Sequence, residues 1–283
     1  MPNKLLLADV DGTLLTHEKV LTERARAAVA QLGVTGIQFA ITSGRPPRGM
    51  QMLIQPLALT TPIAAFNGGM FVRPDLSVLE QRVLHTDVIE SAMQTIKAHG
   101  LDIWIYRGTD WFVRERHGPH VDREEWTVKF PPTVVADFEG LTNDVAKLVG
   151  ISDDLEAVCR CESAVRQQFA EKVHARQSNP VRESPSLVSA ARSQPYYLDV
   201  THPDANKGFV VLRLSQMLGI PPDQIATIGD MPNDISMFAK SGISIAMGQA
   251  SEEVKKAATY TTKSSEEEGF ANAVQQYVLS DLS

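Results

Sequence analysis

The apolar positions of this chain fall into short continuous runs near both ends and into mixed patterns in the middle. The stretch LLLADV at 5–10 is apolar almost without a break, the mark of a strand covered on both faces. LTERARAAVAQLG follows as a helix, with Thr22 as its N-cap and Gly33 as its stop. IQFAIT predicts a second buried strand, closing at Thr42 before the loop SGRPP. PIAAFNGG predicts a third that ends at Asn67, and MFVRP with SVLEQRVL an edge hairpin. The same grammar returns late in the chain. NKGFVVLRLSQMLG reads as a helix stopped by Gly219, with Lys207 in the loop before it. QIATIGD is a strand ending in Asp230, DISMFAKSG a helix, ISIAMG a strand, SEEVKKAA a short helix and YTT strand-like. Strands spaced by helices imply a parallel sheet with right-handed crossovers.

Between these regions the pattern changes. Asp87 and Glu90 suggest a capping box for a helix ending at Gly100. LDIWIY and DWFVR read as an antiparallel hairpin, followed by a turn-rich stretch holding Pro119, Pro131 and Pro132. AKLVGIS is a strand, DDLEAVCRCESAVRQQFAEKVHA a long amphipathic helix with an aspartate cap, and SLVSAAR with PYYLDVT a last hairpin. The expected fold class is α/β. A Rossmann-like parallel-sheet core of residues 1–83 and 196–283 would carry an inserted α+β domain at 84–195.

Composition narrows the function classes. The chain has 283 residues, 43% of them apolar, enough for a sizeable core. A net charge of −7 argues against a nucleic-acid partner, which calls for a basic face. An anionic substrate must then be drawn by a few local cations. Cys159 and Cys161 lie too close in sequence for an unstrained disulfide and lack partners at zinc-ligand spacing, so two reduced thiols are expected. No stretch reaches the roughly 18 apolar residues that span a bilayer, and the expected location is the cytoplasm.

The candidate chemistry lies where strand-like runs end. Asp9 and Asp11 follow the first, Thr42 closes the second, and Asp230 closes the late one with Asp234 four residues on. Ligands of open α/β sheets bind beyond the carboxyl ends of the strands, so residues far apart in sequence can converge there. A calcium loop starting at Asp9 fails, since Leu14 stands where glycine belongs and Val20 where glutamate belongs. Each residue alone has an ordinary explanation: Thr42 a turn residue, Lys207 a solvated lysine. Together, several carboxylates, a hydroxyl and a lysine suit phosphoryl transfer. Mg²⁺ takes carboxylate oxygens and would relieve the repulsion between Asp9 and Asp11. A carboxylate can attack phosphorus, a lysine and a hydroxyl can hold the phosphoryl oxygens, and a second carboxylate can move the proton.

These residues stand in four ordered segments, DVDGTLL, ITSGR, the lysine of DANKG, and GDMPND. In that arrangement the sequence resembles the haloacid dehalogenase superfamily phosphatases, in particular the Cof-like group with an α+β cap between the second and third motifs. The resemblance covers essentially the whole chain. It implies Asp9 as nucleophile and Asp11 as general acid/base, with the Asp11 main-chain carbonyl on Mg²⁺. It also implies Thr42, Ser43, Gly44 and Lys207 on the phosphoryl group, and Asp230, Asn233 and Asp234 at the metal. Departures are GDMPND where many relatives have GDNEND, and Gln249 and Ser265 where asparagine is usual. The implied substrate is a small phosphorylated metabolite, a sugar or polyol phosphate, with neither nucleic acid nor membrane as partner. The alternatives are a phosphomannomutase-like phosphotransferase and a phosphate-ester binding protein without turnover.

Arg45, Asn67 and Gly68 are candidate substrate contacts, against a loop-anchoring ion pair for the arginine and a tight turn for the other two. In the insert, YRGTDWFVRERHGPH gathers Tyr106, Arg107, Trp111, Arg114, Arg116, His117 and His120. One or two of its arginines are candidates for gripping substrate. A metal site of His117, His120 and Asp122 lacks a fourth ligand. Trp104 and Trp111 read as hairpin packing rather than sugar platforms, and His174 as a surface histidine.

Overall fold

The structure, a computed structural model, describes residues 3–176 and 187–280, with the main-chain path alone at 171–176. The chain divides into two compact units, Met1–Glu80 with Asn206–Ser283, and Gln81–Ala205. The second unit is wider than the 84–195 expected, because the strand Tyr197–Thr201 pairs with strands of that unit's own sheet.

In chain order the first unit opens with β1 (Leu5–Asp9), α1 (Glu23–Val34), β2 (Gln38–Thr42), α2 (Gln51–Ile54), β3 (Ile63–Ala65), β4 (Met70–Val72) and β5 (Val78–Gln81). The second unit holds α3 (Thr86–Ala98), β6 (Asp102–Arg107), β7 (Asp110–Val113), α4 (Val121–Val128), β8 (Thr133–Val134), β9 (Val145–Ile151), α5 (Leu155–Arg176), β10 (Ser189–Gln194) and β11 (Tyr197–Thr201). The first unit resumes with α6 (Lys207–Leu218), β12 (Ile225–Gly229), α7 (Ile235–Phe238), β13 (Ile243–Ala246), α8 (Glu252–Ala257), β14 (Tyr260–Thr261) and α9 (Gly269–Ala273).

The larger sheet runs β14-β13-β12-β1-β2-β3-β4-β5, parallel from β14 to β3, with β4 turned back antiparallel on β3. β1 is buried at every position, as expected of a strand covered on both faces. Leu5, Leu7, Ala40, Val210, Leu214 and Met237 share one apolar cluster. The smaller sheet runs β10-β11-β9-β6-β7-β8 and is antiparallel apart from its β7–β8 pair. Ile103, Ile105, Leu148, Leu198 and Val200 pack there with Ile89 and Ile96 of α3 and with Val158 and Val165 of α5. Among the described residues no helix is long and apolar enough to cross a membrane.

Several local expectations are corrected. Asp87 does not cap α3, which starts at Thr86 with His85 at the cap position and no side-chain cap hydrogen bond. Gly33 does not stop α1, which runs through Val34 to Thr35 at the C-cap. The third strand ends at Ala65, and Phe66 and Asn67 turn out of it with φ of 51° and 55°. The proline-bounded stretch holds α4, entered through His120 in a left-handed conformation, φ 60°. Lys207 is the first residue of α6, not a loop residue. Thr22 does cap α1, accepting from the Ala25 amide at 3.1 Å, and Asp154 caps α5 through the Ala157 amide at 3.0 Å. His174 lies outside the described side chains.

Candidate active site

Register alone begins the site. Asp9, the last residue of β1, stands opposite Thr42, the last of β2. On its other side β1 runs parallel to β12, with Ala8 opposite Ile228, so Asp230 follows one residue past that strand's end. Parallel neighbours finish on the same edge, which brings Asp9, Thr42 and Asp230 together. The side chains of Asp9 and Thr42 are buried there, and the Thr42 Oγ1 has no hydrogen-bond partner among the described residues.

Lys207 closes the arrangement from α6. Asn206 caps that helix by accepting from the Phe209 amide at 2.9 Å, which fixes where the next residue points. The Lys207 Nζ lies 2.6 Å from Asp9 Oδ1 and 2.6 Å from Asp234 Oδ1, with both carboxylates and the lysine buried. The other Asp234 oxygen accepts from the amides of Asp230 at 2.9 Å and Met231 at 2.8 Å, tying the turn after β12 into one shape. Gly229 is needed at this point, because a Cβ there would overlap the Asp234 carboxylate. Gly12 answers the same need across the site: its φ is +82°, and a Cβ would lie 2.6 Å from Asp230 Oδ2.

Asp11 is held separately from Asp9. Arg45 donates Nε to Asp11 Oδ2 at 2.7 Å and Nη2 to Oδ1 at 2.6 Å, while Lys19 Nζ reaches Oδ1 at 2.7 Å. Arg45 is itself anchored by Nη1 on the Gly49 carbonyl at 2.9 Å. Its observed partner is therefore a carboxylate, the ion pair that sequence reasoning set against a substrate contact. Burial works to raise the Asp11 pKa, but Arg45 and then Lys19 outweigh it and hold the carboxyl at about 2.

The deeper carboxylates behave in the opposite way. Burial drives Asp9 well above the ordinary carboxylate value; Lys207 opposes this, while Asp234 and Asp230 add to it. Burial and then Asp234 push Asp230 up to about 6, against the Thr13 hydrogen bond at 3.0 Å. Burial acts to lower Lys207, yet Asp234 and Asp9 override it and raise its pKa, so the lysine stays charged. Carboxylate oxygens of Asp9, Asp230 and Asp234 all lie within 4.8 Å of one another. One lysine does not balance three such groups, and a cluster of hard oxygen donors fits a divalent cation.

Ser43 and Gly44 continue from Thr42. The Ser43 Oγ accepts from the Arg45 amide at 3.1 Å, and its carbonyl accepts from the Asn67 amide at 2.8 Å. Asn67 therefore borders the Thr42 loop. Gly68, with φ +97°, is a close-approach glycine, since a Cβ there would lie 2.7 Å from Val210 and 3.2 Å from the Asn206 carbonyl. Asn233 is exposed, with its Nδ2 3.5 Å from Asn67 Oδ1. In the second unit, Arg116 pairs with Asp122 at 2.8 Å and with Glu125. His120 bonds Asp153 at 2.8 Å and stacks on Tyr196. Among the described residues, His117, His120 and Asp122 form no metal cluster. Trp104 and Trp111 are buried edge to face, with ring centroids 5.1 Å apart.

Sequence reasoning did not assign Lys19, Thr13 or Gln249 to the site. Lys19 reaches Asp11 because its backbone turns left-handed at φ 60°, which no periodicity announces. Gln249 donates to the Gly12 carbonyl at 2.5 Å and accepts from the Ser265 amide at 3.1 Å, with Asp230 Oδ2 3.4 Å from its Nε2. Its place after the β13 strand, beside the departure at Ser265, was the available signal.

Comparison with known proteins agrees with this geometry. The chain matches the family of haloacid dehalogenase-like hydrolases over residues 6–274. It is 25% identical over 276 residues to the 5-amino-6-(5-phospho-D-ribitylamino)uracil phosphatase YcsE of Bacillus subtilis (strain 168), covering 98% of this chain and 96% of that protein. It is 26% identical over 280 residues to the phosphatase YitU of the same organism, named for the same substrate, covering 96% and 97%. A haloacid dehalogenase-like hydrolase from Bacteroides thetaiotaomicron superposes with TM-score 0.82 at 27% identity, over 97% of this chain and 99% of the other. The chain belongs to the haloacid dehalogenase-like hydrolases, of the Cof-like phosphatase group, and is a phosphoric monoester hydrolase.

Proposed function

We propose that this enzyme is a Mg²⁺-dependent cytoplasmic phosphatase that hydrolyses a sugar or polyol phosphate through a phosphoryl group carried on Asp9. The observation that carries the reading is Lys207, whose ammonium touches both Asp9 and Asp234 beside the Thr42 hydroxyl, unpartnered among the described residues. A buried nucleophile, a cation and a free donor at one sheet edge are what a phosphoryl group needs. An Asp9 oxygen attacks phosphorus and the ester P–O bond breaks, leaving the phosphoryl group on Asp9. Asp11 gives the departing alkoxide a proton; it then takes one from the water that hydrolyses the phosphoryl-aspartate. Its ionised state under Arg45 and Lys19 suits the second task as it stands, while the first requires a proton in place of one of those contacts.

Thr42, Ser43, Gly44 and Lys207 would hold the non-bridging oxygens, with Asn67 and Gly68 bordering them. Asp9, Asp230 and Asp234, with the Asp11 carbonyl and Asn233, would hold Mg²⁺. When bound, the ion supplies positive charge that lets Asp9 and the phosphoryl oxygens approach. The second unit would act as the cap that reads the alcohol. The relatives named for a phosphorylated ribityl compound support a polyol ester.

Phosphate release from a panel of phosphorylated metabolites, with Mg²⁺ and with EDTA, tests this beside Asp9→Asn. Release that EDTA and the substitution both abolish is expected. Undiminished release from Asp9→Asn would overturn the covalent route, and undiminished release in EDTA the metal requirement.

A further inference from the structure

Two cations share the Asp11 carboxylate, and they are not held alike. Arg45 meets Asp11 at both oxygens, is tied by a third bond to the Gly49 carbonyl, and has a side chain only 3% exposed. Lys19 meets it once, Nζ on Oδ1 at 2.7 Å, on an oxygen that the Arg45 Nη2 already serves. One guanidinium fork balances one carboxylate, so the second cation is not needed for charge. Nor does the loop need it for shape. Thr16 donates its amide to the Val20 carbonyl at 3.1 Å, and its Oγ1 accepts from the Val20 amide at 3.2 Å. The Thr16 carbonyl takes the Lys19 amide at 2.9 Å. Two carboxylates of the turn after β14 hold the same loop, Glu266 on the His17 amide and Glu268 on the Thr22 hydroxyl, each at 2.7 Å. The loop so pinned on both sides carries Lys19 at φ 60°, unfavourable for a residue with a Cβ, and leaves its side chain 14% exposed. Strain and burial accepted for an ammonium that neither charge nor shape requires point to a use for it.

The unequal contacts divide the work. Asp11 must hold a proton to release the alcohol and lack one to activate water, and a proton on Oδ1 takes the place of a donor there. Arg45, held at three points, cannot withdraw without undoing its own loop. Lys19, held at one point on a flexible four-carbon stem, can. We propose that Lys19 is a positioning residue for proton transfer, the contact that leaves Asp11 Oδ1 when that oxygen carries a proton and returns when it does not. In the first step the Oδ1–H bond breaks as the departing alcohol oxygen takes the proton, and the ammonium moves in. In the second the attacking water gives a proton back to Oδ1, and the ammonium moves out. Lys19 keeps its own protons throughout. This role rests on the phosphatase reading above.

The test uses the full-length Mg²⁺-loaded enzyme in single turnovers of para-nitrophenyl phosphate, whose leaving group needs no proton. Nitrophenol release reports the first step and phosphate release the second. Without the returning ammonium, the carboxylate that takes the proton of water is held by Arg45 alone. Lys19→Met is therefore expected to leave nitrophenol release near the wild-type rate and to slow phosphate release about tenfold, one hydrogen bond to a charged group. Lys19→Arg, which keeps a cation there, should recover most of that loss. Equal slowing of both steps would make Lys19 a structural residue and overturn the proposal, as would no slowing of either. Lysine methylation with formaldehyde and cyanoborohydride, read by peptide mass mapping, needs no turnover. Lys19 should resist it in the wild type and react in Asp11→Asn, whose side chain is neutral like the protonated acid. Equal labelling of Lys19 in the two proteins would overturn the proposal. If the wild type releases no nitrophenol, the phosphatase reading fails on its own, and the labelling still decides whether Lys19 gives way.

Discussion

Arg45 grips Asp11 at two points, Nε on one carboxylate oxygen at 2.7 Å and Nη2 on the other at 2.6 Å. The planar fork fixes the plane of the carboxylate as well as its charge, which a lysine cannot do. Arg45→Lys should therefore leave Asp11 ionised but mis-aimed. The expected outcome is a fall in kcat of about a hundredfold on an alkyl phosphate, the usual worth of positioned proton transfer. Para-nitrophenyl phosphate, whose leaving group needs no proton, should suffer less. Equal loss on both esters would assign Arg45 to phosphate binding instead.

Lys207 stands between two buried carboxylates, so its removal leaves their charge uncompensated. Lys207→Met should lose about 3–5 kcal/mol in urea unfolding of the metal-free protein, the cost of breaking a buried pair from one side. Added Mg²⁺ should return part of that loss. A variant as stable as the wild type without metal would show that the carboxylates are already neutral.

The two kinds of aspartate set opposite pH dependences. Asp11, held at about 2, gives stability that is complete above the unfolded value near 4 and lost only as pH falls toward 2. Asp9 and Asp230 are raised in the fold, Asp230 to about 6, so the folded state binds more protons between about pH 4 and 6. Stability of EDTA-treated protein should accordingly fall as pH rises through that window. Mg²⁺ should raise Tm more at about pH 7.5 than at about pH 5. A metal effect independent of pH would count against these carboxylates as the binding groups.

The adjacent thiols should differ in reactivity. Cys161 is buried, and burial pushes its pKa to about 11, whereas Cys159 is partly exposed with Arg192 Nη1 3.0 Å from its sulfur. Iodoacetamide near pH 8 should alkylate Cys159 alone in the folded protein and both thiols in urea. Peptide mass mapping reads the outcome, and equal labelling of the folded protein would contradict the buried placement of Cys161.

The parts of this site legible in the sequence are those a strand's end dictates. Asp9, Thr42 and Asp230 are terminal to strands whose apolar runs are plain, and the parallel rule puts them on one edge. Lys207 was visible as a residue type but misplaced by one step, since Asn206 takes the cap position. Lys19 was not legible as a site residue, because it arrives through a loop whose path depends on tertiary contacts, and Gln249 showed only as a departure following the β13 strand. The helix α4 was hidden for a related reason. Its entry through a left-handed histidine after Gly118 and Pro119 reads locally as a turn, and only burial of Val121 and Val128 makes a helix there worthwhile.

The pairing of β1 with β12 has a consequence for how the chain reaches this state. Thr13 and Asp230, joined by a hydrogen bond, are separated by 217 positions, and the whole of the second unit lies between them. Closing so long a loop is entropically costly and slow for a chain in which that segment is unfolded. Once the second unit has folded, its two ends are fixed relative to each other and the effective loop shortens. Assembly of the carboxylate cluster should therefore be the late event in folding. During synthesis, β1 must wait beside β2 with its other edge unpaired until β12 is made, an interval in which that bare edge is the chain's point of vulnerability to misassociation.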